Sequence, residues 1–285
     1  MSQHFLLTAK ARTLSVRKVM ELTDGQAFQF FKEMRWGEGE EVGCPVCGTI
    51  DRHYFRNDRK QWRCKACTHA FSVTSGTIFA NHKLPLRVYL AAIAIYTNAV
   101  KGLSALQLSR DLGVQYKTAF VLAHKIRESL MEQRDESALA GEIHMDGAYV
   151  NSHVRPKNKK EDRVDRRLIE NQRPDKRCVF VMRQKMETAG DLIKGSNKTL
   201  TFIIKAENQA DVSKLATAFV EKGSVICADE SSAYDALHAK FDTRRVNHAT
   251  EYRSDAGITN NLAESYFSRF RRMQYGQTHK FGNLY

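Results

Sequence analysis

Two C-x2-C pairs, Cys44-Pro45-Val46-Cys47 and Cys64-Lys65-Ala66-Cys67, stand sixteen residues apart in the first quarter of the chain. Each pair can place two thiolates on one tight turn. Two such turns supply the four soft ligands of a tetrahedral zinc ion. Gly48 follows the first pair, where a knuckle turn often needs a positive φ. Between the pairs, His53-Tyr54-Phe55 and Gln61-Trp62-Arg63 flank a polar turn, Asn57-Asp58-Arg59. This is the pattern of a zinc ribbon. Four cysteines complete the shell, so His53 and His69 are not expected to be ligands. Cys178 and Cys227 fall in strand-like runs and read as core residues.

The chain has 285 residues and a formal net charge of +13, which favours a polyanionic partner. No apolar run reaches the roughly 18 residues that span a bilayer. Leu84 to Val100 comes nearest, and Arg87, Tyr96 and Asn98 interrupt it. The first residues lack a signal-peptide pattern. An intracellular, cytoplasmic protein with free or metal-bound thiols is the expectation.

Apolar spacing predicts helix over 15–36, divided near Asp24-Gly25, and three helices over 84–134. Ser104 to Phe120 reads as a helix-turn-helix. Leu106, Leu108 and Leu112 would pack its first helix and Gly113 would make the turn. Gln115, Tyr116, Lys117 and Thr118 would project toward a major groove. A bundle that only packs against its neighbours is the competing reading.

From Gly141 the pattern changes. Strands are expected at 142–151, 178–184, 200–206, 223–228 and 243–248, and helices at 209–221, 232–239 and 260–273. A run of strands followed by strand–helix alternation indicates an α/β layer structure. Arg155 to Arg177 is a basic loop with ten Lys or Arg against five Asp or Glu, suited to touching phosphates.

Three carboxylates stand out by position. Asp146 lies inside an otherwise apolar strand, where an acid is costly unless paired or metal-bound. Asp229 ends the apolar run Ser224 to Ala228. Glu264 follows Asn260-Asn261 in a predicted helix that Thr259, Asn260 or Asn261 would cap. Glu264, Ser268 and Arg271 share one face of that helix. Phosphoryl transfer needs charge neutralisation at the attacking and leaving oxygens, and two magnesium ions on clustered carboxylates supply it. The three carboxylates are therefore expected within about 4–8 Å of one another. His248 and His279 are further candidates for acid–base work or DNA contact.

With these motifs together, the chain resembles bacterial insertion-sequence transposases of the DDE type with an N-terminal zinc ribbon, the ISXO2-like group. The resemblance is carried by Arg35-Trp36 before the first cysteine pair and by Phe71 to Phe79 after the second. It is carried further by Asp146 to Val150, Asp229 to Tyr234, Thr259 to Phe267, Phe270-Arg271-Arg272 and Gly276 to His279. It implies a ribonuclease H-like catalytic domain. Asp146 would be on its first strand, Asp229 after its fourth and the third ligand on a late helix. It also implies magnesium-dependent cleavage and joining at the terminal inverted repeats and target DNA. Water would be the nucleophile in cleavage and a 3′-hydroxyl in joining. At the third catalytic position, Asn261 competes with Glu264; the carboxylate is the better magnesium ligand. Arg271 stands where a lysine is common.

The expected organisation is an N-terminal helical segment at 1–43, a zinc ribbon at 44–80, a helix-turn-helix-like domain at 81–138 and the catalytic domain at 139–285. Relatives continue into a closing helical segment, so C-terminal truncation is expected. The alternative function is a catalytically inactive or repurposed DNA-binding protein. Action on two ends implies a homo-oligomer, and a DNA partner implies association with the nucleoid.

Overall fold

A computed structural model describes residues 14–39, 41–151, 157–165, 168–186, 195–246, 259–278 and 281. The described residues form two compact units, one up to Arg134 and the other from Asp135 onward.

The first unit begins with α1 (Val16–Glu21) and α2 (Asp24–Trp36). The break falls at Leu22–Thr23, one step before the expected Asp24-Gly25. Thr23 is the cause: its hydroxyl accepts from the Gln26 amide and its own amide donates to Gln26 Oε1, a reciprocal cap that starts α2. A three-stranded antiparallel sheet follows, β1 (His53–Arg56), β2 (Gln61–Cys64) and β3 (Ala70–Phe71). Three helices complete the unit: α3 (Leu86–Asn98), α4 (Ala105–Leu112) and α5 (Tyr116–Glu132). Gly113 sits at φ 64° and ends α4 in the left-handed conformation that lets the chain turn into α5. Leu108 is fully buried and Leu112 packs against the core, but Leu106 is exposed on the outer side of α4, contrary to the expected packing. One apolar core joins ribbon and helices, with Trp62 and Phe71 of the sheet in the same cluster as Phe31, Leu90, Leu108 and Leu122.

The second unit is built on a five-stranded sheet in the order β6-β5-β4-β7-β8. Its strands are β4 (Glu142–Val150), β5 (Arg177–Lys185), β6 (Ser196–Ile204), β7 (Val225–Asp229) and β8 (Asp242–Val246). The first three pair antiparallel; β7 runs parallel to β4, and β8 parallel to β7. Helix α6 (Gln209–Phe219) and a 3-10 segment, Ser232–Ala239, cover one face. The predicted α-helix at 232–239 is this tighter segment. Helix α7 (Asn261–Met273) lies on the other face and runs into a π turn, Gln274–Thr278. Alternation along β4 sends Ile143 and Met145 into the α6 core and Ala148 and Val150 toward α7. The expected strand at 243–248 passes Val246 into residues that are not described. No described helix is long and apolar enough to cross a membrane.

Candidate active site and zinc centre

The four sulfurs come together as the spacing demands. Cys44 Sγ lies 3.6 Å from Cys67 Sγ and Cys47 Sγ 3.6 Å from Cys64 Sγ, and all four fall within 4.8 Å of one another. Zinc–sulfur bonds of about 2.3 Å in a tetrahedron require sulfurs roughly 3.8 Å apart, so the cage fits zinc. Gly48 has φ 72° and its amide donates to the Cys44 carbonyl, which closes the first knuckle. The Thr49 hydroxyl and amide lower the Cys47 thiol to about 6. The His69 amide pulls Cys67 down, but burial and hydrogen bonds with the facing sulfurs outweigh it and raise that thiol to about 12. Cys178 and Cys227 are buried on β5 and β7, as expected.

The acids lie just past the end of the parallel β4–β7 ladder, Asp146 in the middle of β4 and Asp229 at the last residue of β7. The β4–β7 ladder ends at His144 opposite Cys227. Asp146 and Asp229 each lie two residues further on, so strand alternation puts both on the face that carries His144 and Cys227. A crevice between the carboxyl ends of parallel strands is a recurrent ligand site. Asp146 Oδ1 accepts from the Gly147 amide at 2.8 Å, and Asp229 Oδ1 from the Ser231 amide at 3.0 Å. Burial is the main force on Asp146. The Gly147 amide opposes it, the charges of Glu207, Asp229 and Glu264 add to it, and the carboxyl rises to about 7.

Helix α7 supplies the opposing wall. Asp146, Glu264, Phe267, Ser268 and Arg271 line one open cleft of about 480 Å³. Asn261 is exposed at the start of α7 and is not among the residues lining this cleft. The acidic oxygens are spread more widely than the cysteine sulfurs: Asp146, Asp229 and Glu264 do not form a cluster closing to within 4.8 Å. His248 and His279 lie outside the described residues.

Three further residues shape the site: Asn260 reads from the sequence only as a candidate helix cap, and Arg183 and Glu207 carry no sequence signal. Asn260, 1% exposed, donates from Nδ2 to the Met145 carbonyl at 3.0 Å instead of capping α7 with its side chain. Arg183, 7% exposed, donates to the Leu262 carbonyl at 2.7 Å, to Ser265 Oγ at 2.9 Å and to Thr199 Oγ1 at 3.1 Å. Burial, then the nearby Arg269 charge, lowers this guanidinium to about 10. Together these two residues bind α7 to β4 and β5. The third is Glu207, just before α6. Its amide donates to Tyr149 Oη at 3.1 Å and the Tyr234 hydroxyl donates to its carboxylate. A Cβ on Gly147 would lie 2.5 Å from Glu207 Oε2, so only glycine leaves room for this acid beside Asp146. Burial raises the Glu207 carboxyl; the Tyr234 bond opposes the rise and the Asp229 charge adds to it.

A second group of potential ligands, Glu142, His144 and Cys227, also falls within 4.8 Å. Lys185 Nζ holds Glu142 at 2.7 Å, and burial pushes the His144 imidazole below its usual range against the opposing pull of Glu142, 3.0 Å from its Nε2. On the first unit, Gln115, Tyr116 and Lys117 are exposed at the start of α5, with Thr118 half-buried behind them.

The chain belongs to the ISXO2-like transposase family: residues 138–285 match the ISXO2-like transposase domain. Residues 22–70 match a transposase zinc-ribbon domain, a stretch that includes α2. The chain is also 24% identical over 259 residues to an uncharacterized protein in transposable element ISH50 of Halobacterium salinarum, a match covering 88% of this chain and 83% of that relative.

Proposed function

We propose that the chain cuts and joins DNA at the ends of an insertion sequence, with a ribonuclease H-like catalytic domain over 139–285. The strand order, three antiparallel strands followed by two parallel ones with helices on both faces, supports that fold. The observation that carries the reading is geometric: Asp146 and Asp229 share one face of the sheet just past the β4–β7 ladder, and Glu264 and Arg271 of α7 line one cleft with Asp146.

Asp146, Asp229 and Glu264 are the proposed magnesium ligands, and their hard oxygens suit that cation. Magnesium bound there would neutralise charge on the scissile phosphate and on its attacking and departing oxygens. A nearby cation favours ionised Asp146 and releases its proton. Glu264 is the preferred third ligand over Asn261 because it faces the cleft. Arg271, two helical turns on, contacts a phosphate of the bound strand. Phe267 and Phe270 fix the helix against the sheet and so hold Glu264 and Arg271 in register. Cleavage forms a bond from water oxygen to phosphorus and breaks the bond to the 3′ oxygen, which takes up a proton to leave a 3′-hydroxyl; in joining, that hydroxyl oxygen bonds a target phosphorus as the target strand's own 3′ oxygen departs with the proton.

Along the chain, 1–43 would be a helical lead-in, 44–80 the ribbon and 81–138 the helix-turn-helix module. Gln115, Tyr116, Lys117 and Thr118 would read the DNA end. Two ends in one reaction call for at least two copies of the chain.

The test is magnesium-dependent cleavage of a duplex carrying the inverted repeats that flank the gene. Asp146→Ala should abolish cutting, and Glu264→Gln should cost far more than Asn261→Ala. An Asp146→Ala protein that cuts as well as wild type would sink the assignment.

A further inference from the structure

The ribbon hairpin has two faces of opposite character. Cross-strand partners share a face, so Phe55 with Trp62 and His53 with Cys64 point one way. Trp62 there stacks on Phe28 and Phe71, and His53 Nε2 bonds the Val42 carbonyl at 2.8 Å. Tyr54 with Arg63 and Arg56 with Gln61 point the other way. On that outer face Tyr54 is 61% exposed, Arg56 and Arg63 are exposed, and Ala70 of β3 continues the surface with a small side chain. The Lys65 ammonium lies 4.5 Å from the Tyr54 ring centre, which adds a third cation to the patch.

The charge is concentrated here. From Asp51 to Lys65 there are six cations, Arg52, Arg56, Arg59, Lys60, Arg63 and Lys65, against two acids, Asp51 and Asp58. Among the described residues only Arg59 of these six is ion-paired, with Asp58 at 3.7 Å. Asp51 is engaged locally, its Oδ1 accepting from the Val42 amide at 2.9 Å. Crowded like charges repel one another, and a polyanion relieves that repulsion. An aromatic ring beside exposed arginines on one face of a sheet suits the sugar–phosphate edge of a duplex.

We infer that this outer face, centred on Tyr54, Arg56, Arg63 and Lys65, docks the phosphate backbone of duplex DNA. It is a surface separate from the residues at the start of α5. The inference rests on the reading that the protein acts on DNA. Its contacts are electrostatic and sequence-independent, and they orient the protein without reading bases.

The experiment is fluorescence anisotropy of the full chain, loaded with zinc, on a labelled duplex of arbitrary sequence across a salt series. Each lost phosphate contact lowers the slope of log K against log salt by about 0.9, so an Arg56→Gln/Arg63→Gln/Lys65→Gln variant should lose about two to three units of slope. Its affinity should fall about tenfold or more at 0.1 M salt. Lys18→Gln, a single charge removed on exposed α1, should leave the slope unchanged. Arg63→Lys in the wild-type background should keep the slope. Unchanged zinc content and tryptophan emission establish that the triple variant is folded. If wild type binds and the folded triple variant keeps the full slope, the surface is wrong and the DNA reading stands. If wild type binds no duplex, the DNA reading falls and the surface with it. Loss confined to a single-stranded RNA probe overturns the duplex assignment.

Discussion

Asn260 donates from Nδ2 to the carbonyl of Met145 at 3.0 Å, in a site that leaves Asn260 1% exposed. Met145 immediately precedes Asp146, and Asn260 is the residue from which α7 starts. One buried amide therefore sets the height of Glu264 and Arg271 over the strand that carries the central acid.

Replacing Asn260 by Ala leaves a buried carbonyl short of a donor. The expected cost is about 1–3 kcal/mol of stability in urea unfolding. The larger effect should fall on the reaction: an α7 shift of about 1 Å costs on the order of a hundredfold in cleavage rate. DNA affinity should change little, which separates misplacement from lost binding.

Gly147 and Glu207 should behave as a coupled pair. A Cβ at 147 would meet Glu207 Oε2 at 2.5 Å and Cys178 Sγ at 3.0 Å. Gly147→Ala must therefore displace the Glu207 carboxylate from the Tyr234 hydroxyl, and loss of cleavage should follow. In a double-mutant cycle, Glu207→Ala should recover part of the stability cost of Gly147→Ala, with a coupling of about 0.5–3 kcal/mol. Strict additivity would mean that the two do not meet.

Asp146 makes the magnesium-free protein less stable as pH rises. Its folded carboxyl is raised to about 7, above the unfolded value of about 3.9, so the folded state holds the proton more tightly. The penalty grows between those two values and is complete above the folded one. Asp146→Asn should therefore stabilise the magnesium-free protein more at pH 8 than at pH 5.5, by at most about 2 kcal/mol. Calorimetry at the two pH values measures this. Adding magnesium should raise the melting temperature of wild type and leave that of Asp146→Asn nearly unchanged.

Zinc removal should unfold more than the ribbon. Trp62 and Phe71 share a single apolar core with α2 to α5, so losing the cysteine cage exposes that core. Both tryptophans of the chain, Trp36 and Trp62, belong to this unit. Chelation or Cys64→Ser should therefore red-shift the tryptophan emission and reduce the helical circular dichroism. An apo protein with unchanged emission would mean that the helices fold without the metal.

The sequence by itself determined the local features. Four sulfurs at the stated spacing close one cage because each pair spans only a single turn. Asp146 declared itself by being an acid in an apolar strand, and the helical face of Glu264, Ser268 and Arg271 followed from their spacing. These depend on neighbours within a turn or a strand, where periodicity dictates direction. Tertiary structure alone decided that Asn260 would reach β4 instead of capping its own helix, that Arg183 would be buried under Leu262 and Ser265, and that Glu207 would enter beside Asp146 through the space above Gly147. It also turned Leu106 outward and tightened 232–239 to a 3-10 segment. Each of these contacts joins elements far apart in the chain, and only the register and layering of the folded sheet bring them to hydrogen-bonding or van der Waals distance.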